Sequence, residues 1–162
     1  MEQEFFEKGL EFLENNQYEE AIKEFSKAIE VNPDNADFYG KRGIAYAKQE
    51  NSVKALEDFN KAIELNPNNP EFYENRGMIY ALQDDFTKAI ECYDRAIELE
   101  SNKTTCYYNR ALAYFHLSNY SKAIHDFNKA IELNPNDIES YNARGDAYLY
   151  LQNYSEAIII TT

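Results

Sequence analysis

Five Gly and four Pro among 162 residues are too few for an all-β chain with its many tight turns. The only cysteines, Cys92 and Cys106, exclude a disulfide framework and read as two reduced thiols. The opening MEQEFFEKGL lacks the positive segment and apolar stretch of a signal peptide, and no apolar run nears the ~20 residues of a membrane span. Basic residues are scarce: 16 against 29 acidic ones leave a net charge of −13, which repels nucleic-acid phosphates and anionic lipid heads. The sequence therefore predicts a cytoplasmic protein that binds neither nucleic acid nor membrane.

The usual signatures of catalysis are missing as well. His116 and His125 stand nine residues apart with no Cys or carboxylate at ligand spacing, which argues against a metal site. No Gly-rich phosphate loop is present, because each Gly stands alone in a helical stretch. Carboxylates such as Glu30, Glu64, Glu98 and Glu132 recur at a fixed period, so a charged outer face accounts for them. The expectation is no enzyme and no cofactor.

What the chain does have is apolar side chains (44%), charge (28%) and runs of Ala, Glu, Lys and Leu, a composition that favours an all-α fold. It also has a period. Gly9, Gly43, Gly77 and Gly145 are spaced by 34 residues or a multiple, with Ala111 in the missing slot. The same step links Ala21, Ala55, Ala89, Ala123 and Ala157, and separately Ala28, Ala62, Ala96 and Ala130. An aromatic series, Phe25, Phe59, Tyr93 and Phe127, precedes the second Ala set by three residues, and Pro33, Pro67 and Pro135 close units. Only Ser101 breaks the Pro series.

Each unit reads as two helices. Residues 36–48 put Tyr39, Gly43 and Tyr46 on one stripe, and 53–65 do the same with Ala55, Phe59 and Ala62. Polar breaks separate them, and proline ends each second helix because it disfavours helix at the residue before it. A helical Gly costs about 0.5–1 kcal/mol relative to Ala, a loss that close approach of a neighbouring helix would offset. A lone hairpin buries too little surface to fold, so neighbours must stack.

These residues resemble the tetratricopeptide repeat, whose 34-residue pattern has aromatic, Leu-Gly, Tyr, Ala, Phe, Ala and Pro at fixed offsets. Phe5, Gly9, Phe12, Ala21, Phe25, Ala28 and Pro33 match it in the first unit, and Tyr39, Gly43, Tyr46, Ala55, Phe59, Ala62 and Pro67 in the second. Tyr73, Gly77, Tyr80, Ala89, Tyr93 and Ala96 follow, then Tyr107, Ala111, Tyr114, Ala123, Phe127, Ala130 and Pro135. The resemblance implies one array over 1–162, with repeats 2–35, 36–69, 70–103 and 104–137 and a truncated fifth at 138–162. It further implies an all-α, right-handed superhelical solenoid of antiparallel helix pairs, with first helices lining a concave groove.

Three departures stand out. Lys8, Arg42, Arg76, Arg110 and Arg144 replace the usual Leu, and the guanidinium is expected to reach an acid such as Asp58 or Asp126. Ser52 replaces the aromatic found as Tyr18, Phe86, Tyr120 and Tyr154, so the second hairpin's turn should pack less well. The fifth unit is expected to turn near Asn153 and begin a second helix at Tyr154 that stops after about two turns.

The resemblance implies a groove carried by the second, fifth, sixth, ninth, twelfth and thirteenth residues of each first helix. Beyond Phe6, Leu10, Leu13 and Asp37, the candidates are Lys41, Ile44, Lys48, Glu71, Glu74, Asn75, Met78 and Leu82. Tyr108, Asn109, Leu112, Phe115, His116, Glu139, Asn142, Asp146, Leu149 and Tyr150 complete the set. This mixed apolar and acidic face suits a protein or peptide segment with apolar anchors and Lys or Arg, which makes the chain an interaction scaffold. The alternatives are a recruiting or regulatory arm of a larger enzyme, and a structural element that self-associates through Ile158–Ile160. One subset of the family clamps acidic chaperone tails with Lys, Asn and Arg. The matching positions here, Phe6, Leu10, Lys41, Glu71 and Asn75, or Gly40, Ile44, Asn75, Thr105 and Asn109, do not resemble it.

Overall fold

The computed structural model describes the backbone of residues 1–160 and side chains through Gln152. Among these residues every regular element is an α-helix: α1 (Glu2–Glu14), α2 (Tyr18–Val31), α3 (Ala36–Lys48), α4 (Ser52–Leu65), α5 (Pro70–Leu82), α6 (Phe86–Leu99), α7 (Thr104–His116), α8 (Tyr120–Leu133) and α9 (Ile138–Ile160). The chain divides into two compact units, 1–79 and 80–162. In the first, α1 pairs with α2 and α3 with α4, while α2 also packs on α3. In the second, α7 pairs with α8, and α6 and α9 pack on α7 and α8 respectively.

The turns inside hairpins share one geometry. Asn16, Glu50, Asp84 and Ser118 all take a left-handed backbone with φ of 58–59°. The next residue's N–H reaches back five residues, as from Gln17 to the Phe12 carbonyl (2.8 Å) and from Asn51 to Tyr46 (2.9 Å). This closes the last helical turn by a Schellman motif without glycine. The following helix is then capped by a side chain: Asn51, Asp85 and Asn119 accept from the N–H groups of Lys54, Lys88 and Lys122. Between hairpins, Asn32, Asn66 and Asn134 leave the helix in extended conformations and accept from the N–H two residues on. Glu100 takes the same extended geometry ahead of Ser101, so the break in the Pro series does not alter the backbone.

Packing within each hairpin turns on one knob and one hole. A Cβ on Gly9 would lie 2.5 Å from the Phe25 ring and one on Gly43 would lie 3.0 Å from Phe59. Phe25, Phe59 and Phe127 are buried, as are Ala21, Ala55, Ala111 and Ala123. Gly40, outside the repeat series, gives similar space to Phe72, with a Cβ position 2.5 Å from that ring.

The arginine series ties consecutive hairpins. Arg42 grips Asp58 through Nε and Nη2, both at 2.8 Å, and its Nη1 reaches Ser26 on α2 at 3.0 Å. Arg110 holds Asp126 at 2.6 and 2.9 Å and Asp94 on α6 at 2.5 Å. Each guanidinium also lies over the Tyr three residues earlier, Tyr39 for Arg42 and Tyr107 for Arg110. Burial opposes the Arg110 cation, but the hydrogen bonds and charge of Asp126 and then Asp94 outweigh it and raise its pKa.

The fifth unit differs from expectation in two ways. α9 continues without a break from Ile138 to Ile160, so no turn forms near Asn153. Gly145 is exposed and a Cβ there would meet nothing within 4 Å, so it is not a close-packed position like Gly9. One cause explains both. A non-Gly left-handed residue costs about 1–2 kcal/mol, which the other turns offset by packing the next helix back through its aromatic. Sixteen residues after Gly145 the sequence has Thr161 where the others have Phe or Tyr. Without that knob, staying helical through Gln152 is cheaper than bending.

Candidate functional site

In the first unit the candidate face is mostly polar. Lys41 and Ile44 are half-buried on α3, and Ile44 packs on the cluster of Ala55, Phe59 and Ile79. Lys48, Glu71 and Met78 are exposed, while Glu74 and Asn75 are half-buried. Asn75 turns back on its own helix, donating from Nδ2 to the Glu71 carbonyl at 2.8 Å, which leaves it less able to reach outward.

The second unit gathers the apolar candidates. Tyr108, Leu112 and Phe115 on α7 are half-buried against Ala111, Ile124, Phe127 and Ala147. Phe115 meets Tyr120 and Tyr150 edge-on, each at 5.3 Å between centroids, and Tyr120 stacks on Tyr150 at 5.5 Å. His116 is exposed and stacks flat on Phe86 at 4.5 Å. Asn109 is half-buried, and Leu82, Glu139, Asn142, Asp146, Leu149 and Tyr150 are exposed.

Between α7, α8 and α9 these residues leave a cavity of about 70 Å³, lined by Leu112, Phe115, Phe127, Ala143 and Asp146. Of these lining residues Phe127 is fully buried and Asp146 is exposed. The local sequence explains the opening. Asp146 stands where the other units have Leu10, Ile44, Met78 and Leu112, and Ala143 where they have Glu7, Lys41, Asn75 and Asn109. A short and an acidic residue thus replace a long one and an apolar one. Nearby, burial and then the charges of Glu139 and Asp137 push the Tyr108 phenol above its ordinary pKa, a sign of negative potential at this edge. Sequence reasoning missed Ala143 and Phe127 as lining residues; a comparison of side-chain size at position 143 across the five units would have found the first.

A wider cleft of about 350 Å³ lies between α7 and α8, lined by Arg110, Tyr114, Ser121, Lys122, His125 and Asp126. Its arginine is engaged by two carboxylates and its lysine lies over the Tyr114 ring at 5.2 Å, so both cations serve the hairpin. Among the described residues no group of three or more His, Cys, Asp or Glu converges as a metal site would need, and no helix is long and apolar enough to cross a membrane. Cys92 and Cys106 are both buried.

Comparison with known proteins places this geometry. No curated protein sequence matches the chain. Among solved structures it is similar to the MamA protein, at 25% identity over 97% of this chain and 86% of that one, with a TM-score of 0.87. It is similar to YrrB, a TPR protein with an unusual peptide-binding site, at 26% identity over 87% and 73% of the two chains, TM-score 0.78. It also resembles the first TPR of Spaghetti (RPAP3) bound to the HSP90 peptide SRMEEVD, at 27% identity over 72% and 93%, TM-score 0.71. A family model described as tetratricopeptide repeat matches residues 36–69, 70–103 and 105–137, a second of the same description matches 127–159, and one described as TPR repeat matches 9–50. With helical hairpins repeating at 34 residues and these matches across most of its length, the chain belongs to the tetratricopeptide repeat family.

Proposed function

We propose that this chain is a protein-interaction scaffold that holds a segment of another protein by placing an apolar side chain in the cavity beside Asp146 and a Lys or Arg against its carboxylate. The observation that carries this reading is the cavity itself, lined by Leu112, Phe115, Phe127 and Ala143 with Asp146 as its one charged lining residue. Such a site favours an anchor flanked by a cation, because the apolar contact supplies affinity and the carboxylate charge selects among partners. Exposed Leu149 and Tyr150 and the carboxylates of Glu139 and Asp146 extend the same chemistry along α9. YrrB and the Spaghetti repeat, both similar to this chain, are described as peptide binders, which supports a peptide or protein ligand here. The acidic peptide held by the latter suits this chain poorly, given a net charge of −13 and no Lys or Arg in the clamp positions other than Lys41. A binding role of this kind calls for no catalytic group.

Fluorescence anisotropy with labelled peptides tests the reading. A peptide of alternating Leu and Lys should bind saturably and weaken severalfold when salt rises from about 50 to 500 mM, as screening shortens the range of the carboxylate charge. Asp146→Asn should weaken it at least threefold with no change in helicity. Tighter binding of SRMEEVD than of the Leu-Lys peptide, or indifference to Asp146→Asn, would overturn the proposal.

A further inference from the structure

The exposed face of α9 repeats, residue for residue, a surface that other units keep covered. Tyr141, Arg144, Gly145 and Tyr148 occupy the positions of Tyr39, Arg42, Gly43 and Tyr46 and of Tyr107, Arg110, Ala111 and Tyr114. In α3 and α7 that face receives the second helix of the hairpin. The glycine or alanine accepts a Phe ring, and the Nε and Nη2 edge of the arginine accepts the carboxylate one residue before it, Asp58 beside Phe59 and Asp126 beside Phe127. On α9 the arginine is already aimed. Arg144 lies over Tyr141 at 5.2 Å and spends Nη1 on Asn128 at 2.6 Å, as Arg42 spends Nη1 on Ser26. No described residue takes its Nε and Nη2 edge, Tyr141 and Tyr148 are 43% and 51% exposed, and Gly145 faces open space.

From this we infer that the face of Tyr141, Arg144, Gly145 and Tyr148 is an acceptor for a helix supplied by another polypeptide, one carrying Ala-x-x-Asp-Phe-x-x-Ala. The charge and the shape both select that occupant. A bidentate guanidinium edge matches a carboxylate, and the hole between two tyrosines over a glycine matches an aromatic knob. Both existing examples of the pair set the spacing: Ala55, Asp58, Phe59 and Ala62 on α4, and Ala123, Asp126, Phe127 and Ala130 on α8. The chain's own residues at the matching register are Ile160 and Thr161, which offer neither the carboxylate nor the ring. This surface is separate from the cavity beside Asp146 and does not depend on the ligand proposed for it.

The test uses the full chain and a labelled peptide with the sequence of residues 120–133. Saturable binding is expected, with at least a tenfold loss when the peptide carries Asp126→Ala or Phe127→Ala. Gly145→Leu in the protein should abolish it. Because nothing lies near the Gly145 Cβ position, that variant should keep its helicity by circular dichroism and its affinity for the Leu-Lys peptide. Arg144→Gln should weaken binding at least fivefold. Absence of saturable binding at millimolar peptide, or binding that Gly145→Leu leaves intact, would overturn the inference. So would sedimentation showing a dimer of the chain that Gly145→Leu dissolves, since the occupant would then be a second copy.

Discussion

α3 and α9 carry the same four residues at the same spacing and end in opposite surroundings. In α3, Tyr39, Arg42, Gly43 and Tyr46 are roofed by α4: Arg42 holds a buried Asp58 and Gly43 accommodates Phe59. In α9 no described residue takes the Nε and Nη2 edge of Arg144, and nothing lies within 4 Å of a Cβ position at Gly145. The lesson is that the repeat signature in a first helix specifies an acceptor, and what it becomes depends on residues sixteen further on. A motif match alone therefore does not reveal whether a conserved-looking glycine is packed.

The comparison is broken most severely at the arginines. Arg42→Leu leaves Asp58, 5% exposed, without its cation, and loss of one partner of a buried pair should cost on the order of 3 kcal/mol. Arg144→Leu strands no carboxylate and should stay within about 0.5 kcal/mol. Urea denaturation followed by circular dichroism measures both; equal losses would mean that the Arg42 pair contributes nothing specific. A second contrast is steric. Gly43→Leu drives its side chain into the Phe59 ring, 3.0 Å from the Cβ position, and should destabilise by about 2 kcal/mol. Gly145→Leu meets nothing and removes a helical glycine, so it should stabilise by up to about 0.8 kcal/mol. A destabilising Gly145→Leu would show that the α9 face is covered in solution.

Much of this architecture was legible because it repeats. The 34-residue step located the helices, and Arg42 and Arg110, one residue before Gly43 and Ala111, pointed to the ion pairs with Asp58 and Asp126. Repetition was also the source of error. It projected a turn at Asn153 and a packed Gly145 from four earlier units, although Thr161 had already removed the aromatic that makes bending worthwhile. The candidate site was legible only as helix faces. Position in a helix named Leu112, Phe115 and Asp146 separately, but their convergence on one cavity depends on the absence of a long side chain at Ala143, a difference in size that periodicity does not weigh.

The smallest contrast concerns the hinge itself. Glu50 and Gln152 occupy one repeat position, yet Glu50 has φ of 59° and Gln152 lies inside α9. Glycine relieves the left-handed penalty at the first site and weakens the helix at the second. Glu50→Gly should therefore stabilise by roughly 1 kcal/mol, since the Schellman turn from Asn51 to Tyr46 is already in place to receive it. Gln152→Gly should destabilise by about 0.5–1 kcal/mol and lower the helical signal of the C-terminal stretch. Opposite signs from one substitution at equivalent positions would locate the difference between α3 and α9 in the backbone at this residue. If Gln152→Gly instead stabilised the chain, residue 152 would have to bend as Glu50 does, and the acceptor face on α9 would be closed by its own continuation.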